Sequence, residues 1–82
     1  MKKYFKSDDT EKKAGRWSDG FSNTKGGQKD KKNKPKKTDN VEVEDGTILL
    51  IDEVAVCSSL TGNAKLFVLE GASLEVNGIK KA

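Results

Sequence analysis

The chain has 82 residues, with 33% hydrophobic, 6% aromatic and 35% charged residues, no histidine and one cysteine. That length bounds it to one domain. The single cysteine excludes an intramolecular disulfide, and the lack of histidine removes His-based triads, His zinc sites and the usual near-neutral general base. No apolar run approaches the length of a membrane-spanning helix.

The net charge of +3 hides two unlike halves. Residues 1–40 carry 13 basic and 6 acidic side chains, and residues 41–82 carry 3 and 7. Six apolar residues fall in the first half and 21 in the second. This split predicts a basic arm attached to a separate small β unit. The expected boundaries are an extended arm with aromatic anchors at 1–23, a Lys/Gly-rich linker at 24–40, a β unit at 41–79 and a tail at 80–82.

In chain order, the first stretch opens with Lys2, Lys3 and Lys6 around Tyr4-Phe5. It resembles the basic start of a secretory signal, but no apolar core follows, so no signal is expected. The few apolar residues of the first half show no sustained period. Their burial cannot offset an ordering cost of about 1–2 kcal/mol per residue, so the arm is expected to be extended or disordered. Arg16-Trp17-Ser18-Asp19-Gly20-Phe21 breaks that polarity. Trp and Arg are favoured in binding hot spots, so Tyr4, Phe5, Arg16, Trp17 and Phe21 are candidate partner-binding residues. The competing reading folds these rings back onto the chain's own sheet.

Lys25-Gly26-Gly27-Gln28 reads as a flexible break. Lys29, Lys31, Lys32, Lys34, Lys36 and Lys37 then crowd six lysines into nine residues around Pro35. Such a run can neutralise phosphates in a salt-dependent, sequence-independent way, or meet an acidic protein surface or an anionic membrane face. It lacks arginine and interleaved aromatics, which argues against base readout or base stacking. A plain solvated linker is the alternative.

The second half reads as mainly β, a small antiparallel hairpin sheet or mini-barrel. Val41–Glu44 alternates with period two, and Asp45-Gly46 separates it from Thr47–Ile51. An Asp-Gly pair between such runs predicts a type I′ hairpin, with Val43 opposite Ile48. Glu70-Gly71 predicts a second hairpin, with Phe67 opposite Leu74, and Asn77-Gly78 gives a third turn signal. Val41, Val43, Ile48 and Leu50 then share one face. Leu49, Ile51, Leu66 and Val68 are left as a second apolar surface, a candidate oligomer or docking face. An echo at 25 residues links Asp45-Gly46-Thr47 with Glu70-Gly71-Ala72, but two copies are too few for a solenoid.

Candidate chemistry is sparse. Cys57 sits in the apolar run Val54–Cys57 without an adjacent cation and reads as a buried structural thiol. No carboxylate spacing matches a calcium loop, and the glycine pairs do not follow the phosphate-loop order. No catalytic residue, metal ligand or cofactor is expected. The expected function is a non-enzymatic interaction or structural protein, binding a larger protein or assembly as a homo-oligomer or docked subunit. A virion-type decoration or phage-like accessory component and a small inhibitor of a host protein both fit. The alternative is a nucleic-acid-associated accessory protein gripping phosphate through the lysines. The expected location is the cytoplasm, or the inside of a particle assembled there.

Overall fold

A computed structural model describes residues 1–7, 9 and 11–81, with the side chain of Lys81 excluded. Ala82, part of the expected tail, and residues 8 and 10 of the expected arm lie outside the described residues. The strands are β1 (Lys2–Phe5), β2 (Ala14–Arg16), β3 (Asn40–Val43), β4 (Ile48–Ile51), β5 (Val54–Cys57), β6 (Ser59–Thr61), β7 (Lys65–Val68), β8 (Ser73–Val76) and β9 (Ile79–Lys81). A 3-10 turn spans Trp17–Asp19. Among the described residues no helix is long and apolar enough to cross a membrane.

The protein is mainly β, but its strands stack rather than fold into hairpins. Three small sheets have the orders β1-β3-β6, β2-β4-β7 and β5-β8-β9. Among the described residues every pairing of two strands is parallel except β8 with β9. Successive strands therefore lie on successive sides of a coil, and the chain returns to each side one level further along the stack. Asn40 lies beside Ser59, Ile48 beside Lys65 and Val54 beside Ser73, offsets of 19, 17 and 19 residues.

The two expected hairpins at Asp45-Gly46 and Glu70-Gly71 are corrected by this topology. A type I′ turn needs positive φ at both central residues. Gly46 and Gly71 each have φ 83°, but Asp45 and Glu70 are not among the positive-φ residues. These turns bend the chain round a corner instead. The Gly46 N–H donates to the Asn63 carbonyl at 2.9 Å, and the Asn63 N–H donates to Asp45 Oδ1 at 2.9 Å, so this corner is bonded to the corner at Gly62-Asn63 of the next coil. Among the described residues only Asn77-Gly78, at φ 51° and 78°, has both turn residues left-handed, and it makes the two-residue hairpin β8-β9. The echo at 25 residues aligns two different corners and marks no repeat.

Residues 1–40 are built into the same body. β1 and β2 are the first level of two sheets, in register with β3 and β4. The segment after the 3-10 turn crosses the top of the stack. Tyr4 and Ser22 exchange N–H to carbonyl bonds of 2.8 and 2.9 Å, and the Asp30 N–H donates to the Phe21 carbonyl at 3.1 Å. Lys3 points inward beneath this segment, where its Nζ donates to Asn23 Oδ1 and Asn33 Oδ1, both at 2.7 Å. Residues 34–39 then run beside β5: Lys34 Nζ meets Glu53 Oε1 at 3.2 Å, and the Ser58 N–H donates to the Asp39 carbonyl at 2.7 Å. They close the third side of the first coil without ladder pairing.

The core lies along the stack axis. Phe5, Trp17, Phe21, Val41, Val43, Leu49, Ile51, Ala55, Cys57 and Leu74 are all buried. Phe5 and Phe21 approach to 5.3 Å between centroids, and Trp17 meets Phe21 edge-on at 4.8 Å. These rings plug one end of the stack, which resolves how so few apolar residues sustain a fold: three aromatics from the basic half complete the core. Gly15 makes room for them, since a Cβ there would lie 2.6 Å from Phe5 Cζ. The other end has no such plug. Leu60, Leu66 and Val68 of the last level are only partly buried, and Ile79, stacked in register on Val76, is 64% exposed.

Candidate docking surface

Three surfaces could engage a partner. The first is a groove of about 480 Å³ beside the β1-β3-β6 sheet, lined by Tyr4, Lys25, Glu42, Glu44, Asp45 and Thr61 among others. Tyr4, Glu42 and Thr61 project outward from this sheet in register. Its central charge is already matched: Glu42 lies 3.0 Å from Lys2 and 3.5 Å from Lys25. The Lys2 hydrogen bond and charge hold the Glu42 carboxyl below its usual range. Lys2 also stands 5.6 Å from the centroid of the Tyr4 ring. Of the expected anchors, Tyr4 is thus half-buried on the outer wall, and Arg16 is exposed on the second sheet. Phe5, Trp17 and Phe21 are core residues that present no free face to a partner.

The second surface is the lysine run. It is not a free linker, because Pro35 is buried and turns bound it on both sides: Asn33 N–H donates to the Asp30 carbonyl, and Asp39 N–H to the Lys36 carbonyl, each at 2.9 Å. Lys34 is paired with Glu53, and Lys29 Nζ stands 4.9 Å from the centroid of the Phe5 ring. Lys31, Lys32, Lys36 and Lys37 are exposed. Asp39 is held below its ordinary range, first by the Lys36 N–H bond and against the cost of burial.

The third surface is the outer face of the β2-β4-β7 sheet. Strand side chains alternate, so Leu49 and Ile51 point to the core with Leu66 and Val68 stacked on them in register. The expected docking set Leu49, Ile51, Leu66 and Val68 is therefore the interior set. The error is one of parity. A hairpin would carry the inward sense of Val43 across to Ile48. The corner Glu44–Thr47 resets it: Thr47 turns inward, Ile48 outward and Leu49 inward. The outward rows are Ala14 and Arg16 at the first level, Ile48 and Leu50 at the second, and Lys65 and Phe67 at the third. Leu69 continues the third row by the same alternation. Phe67 is 50% and Leu69 38% exposed, while Ile48 and Leu50 are half-buried. The signal that would have found them is the 17-residue offset, which lays Ile48–Ile51 on Lys65–Val68.

Charged side chains flank this face. At the margin preceding the strands Glu11, Lys12 and Lys13 stand before β2, Glu44 and Asp45 before β4, and Lys65 opens β7. Asp19, Asp52, Glu53 and Glu70 follow the strands at the other margin. Asp52 accepts the Ser18 N–H at 3.1 Å and the Ser18 hydroxyl at 2.5 Å. Burial works against its ionised form, but these bonds and the Arg16 charge prevail and hold it below the usual carboxylate range.

Cys57 is a buried free thiol whose pKa is pushed up by desolvation, which suppresses the reactive thiolate. Among the described residues no group of three Cys, Asp or Glu side chains could hold a metal ion. No protein-family model, curated protein or solved structure matches the chain.

Proposed function

We propose that the chain is a non-enzymatic docking and assembly module that attaches through the outer face of its β2-β4-β7 sheet. One observation carries this: Ile48, Leu50, Phe67 and Leu69 form a contiguous apolar outer face on a sheet whose interior needs are already met by Leu49, Ile51, Leu66 and Val68. A one-sided sheet normally alternates apolar inward with polar outward, so a second apolar face favours a covering surface. The partner is a larger protein assembly or further copies of the chain. A virion-type decoration component or a small inhibitor of a host protein would use such a layout, in the cytoplasm or inside a particle assembled there. The β7 edge beside this face is open to strand addition, a second source of grip.

A photo-reactive benzoylphenylalanine placed at Phe67 tests this in lysate, with the same group at Tyr4 as control. A protein adduct from position 67, absent at position 4, is expected. No adduct at position 67 contradicts the proposal.

A second reading rests on exposed Lys31, Lys32, Lys36 and Lys37. Here the module grips nucleic-acid phosphate through them. Binding would then fall steeply with salt and be lost on changing these four lysines to Gln, while changes on the β2-β4-β7 face leave it intact.

A further inference from the structure

We propose that the open edge of β7 accepts an extended segment of a partner protein as an added antiparallel strand. This deepens the docking function proposed above, and rests on the β2-β4-β7 sheet being the surface that meets a partner. Main-chain bonding is the carrying observation. The Lys65 N–H donates to the Thr47 carbonyl at 3.0 Å, and the Leu69 N–H to the Ile51 carbonyl at 2.9 Å. Along a strand the N–H and C=O groups of successive residues point to opposite sides, so Lys65, Phe67 and Leu69 turn theirs to β4. Leu66 and Val68 turn two N–H and two C=O groups off the end of the stack, where no described residue bonds them.

The chain closes its comparable edges. At the start of the stack β1 turns the main-chain groups of Tyr4 outward, and Ser22 bonds both. β2 turns out those of Ala14 and Arg16. The Ser7 hydroxyl donates to the Ala14 carbonyl, and the Arg16 N–H donates to Asp19 Oδ2 at 3.0 Å. On the third side β9 covers β8. β6 stays bare, but it is three residues long and polar at Ser59 and Thr61. β7 lacks the usual edge protection, since residues 66–69 carry no charge and no proline.

These groups set the chemistry of the occupant. In an antiparallel register two of its residues, two apart, each exchange a pair of bonds with Val68 and Leu66. Their side chains fall on the inward face over partly buried aliphatics, so apolar, β-branched residues fit there. The residue between them stands opposite Phe67 on the outer face, where an aromatic packs. Exposed Lys65 and Glu70 bracket the edge. The complementary segment is therefore basic at its start, beside Glu70, and acidic at its end, beside Lys65.

The probe is a capped hexapeptide, Lys-Thr-Val-Tyr-Val-Glu, titrated into the isotope-labelled full chain and followed by amide NMR. In the chain alone the Leu66 and Val68 amides are expected to exchange freely. With peptide they are expected to slow about tenfold, with a Kd on the order of 1 mM. N-methylation of both peptide valines keeps their side chains and deletes their donors, and is expected to weaken binding about tenfold. Exchanging the two end charges is expected to weaken it about threefold. No binding, or equal binding of the methylated peptide, overturns the inference, and indifference to the charge exchange overturns the antiparallel sense. Protection of Leu66 and Val68 that grows with chain concentration, without peptide, assigns the edge to a second copy and also overturns it.

Val68→Pro deletes an N–H that the fold does not use, at an edge position where proline is tolerated. It is expected to abolish peptide binding while the Lys65 and Leu69 amides stay protected. Benzoylphenylalanine at Phe67 separates the two claims. A lysate adduct lost with Val68→Pro supports strand addition. An adduct that survives Val68→Pro overturns strand addition and leaves outer-face docking standing. No adduct, with the peptide still bound at the edge, contradicts outer-face docking alone.

Discussion

The indole of Trp17 stands edge-on to the ring of Phe21, 4.8 Å between centroids at an interplanar angle of 66°. Both rings come from the polar, basic half of the sequence, and both are buried. They close one end of a coil stack whose other end shows only partly buried aliphatics. Removing either ring leaves a cavity at a fully buried position. Trp17→Ala and Phe21→Ala are each expected to cost about 3–5 kcal/mol, measured by urea unfolding. Phe67→Ser, on the outer face, is expected to cost far less. Equal losses at Trp17 and Phe67 would contradict the burial pattern.

Gly15 faces Phe5 across the first level, where an added Cβ would stand 2.6 Å from the ring. Gly15→Ala is expected to destabilise by about 1–3 kcal/mol through overpacking. Gly71, whose surroundings are open, has φ 83°, so Gly71→Ala would cost through the backbone alone. Pairing Gly15→Ala with Phe5→Leu separates the two mechanisms, because relief by the smaller side chain is expected only for a steric clash.

Thr47 turns its side chain into the core at the corner before β4, and its Oγ1 is buried without a hydrogen-bond partner. An unsatisfied buried hydroxyl costs about 1–3 kcal/mol. Thr47→Val keeps the shape and removes the group, so a gain of about 1 kcal/mol in unfolding free energy is expected. A loss would show that the hydroxyl contributes to the corner.

Asp39 and Asp52 both titrate below their ordinary range in the folded chain. A carboxylate depressed on folding contributes stability that is present above its unfolded pKa, about 3.9, and is lost as pH falls through the folded value. Unfolding midpoints in urea are therefore expected to be flat from about pH 7 to about pH 5 and to fall below about pH 4. Asp39→Asn should flatten that acid limb. A midpoint that rises on acidification would contradict both assignments.

Much of the local structure is legible in the sequence, and the topology is not. Runs such as Val41–Val43, Ile48–Ile51 and Leu66–Val68 announce strands by alternation and β-branched content. Asn77-Gly78 announces its hairpin, because an Asn readily takes the left-handed conformation beside Gly. Asp45-Gly46 carries the same dipeptide signal but bonds to Asn63 of the next coil, a partner that local reasoning does not see. One turn read as a hairpin reverses the facing of every residue after it, which is why Leu49 and Ile51 were expected outside and Ile48 and Leu50 inside. The aromatic anchors were visible as anomalies in a polar stretch. Their destination was not, because the surface that receives them is assembled from strands some 20 to 50 residues away. The lysine run is exposed in four positions as its composition suggests, while Lys34 pairs with Glu53 across the fold.

The central claim is that the basic first forty residues form the first coil of the stack. Native-state hydrogen exchange on the full chain tests it most directly. The Glu44 and Ile48 amides donate to the carbonyls of Phe5 and Lys13, at 2.9 and 2.8 Å. They are expected to exchange only through global unfolding, with the same free energy as the Lys65 amide bonded to Thr47. Fast exchange at Glu44 and Ile48, with Lys65 still protected, would mean that the first forty residues stand apart from the β unit and would contradict the account.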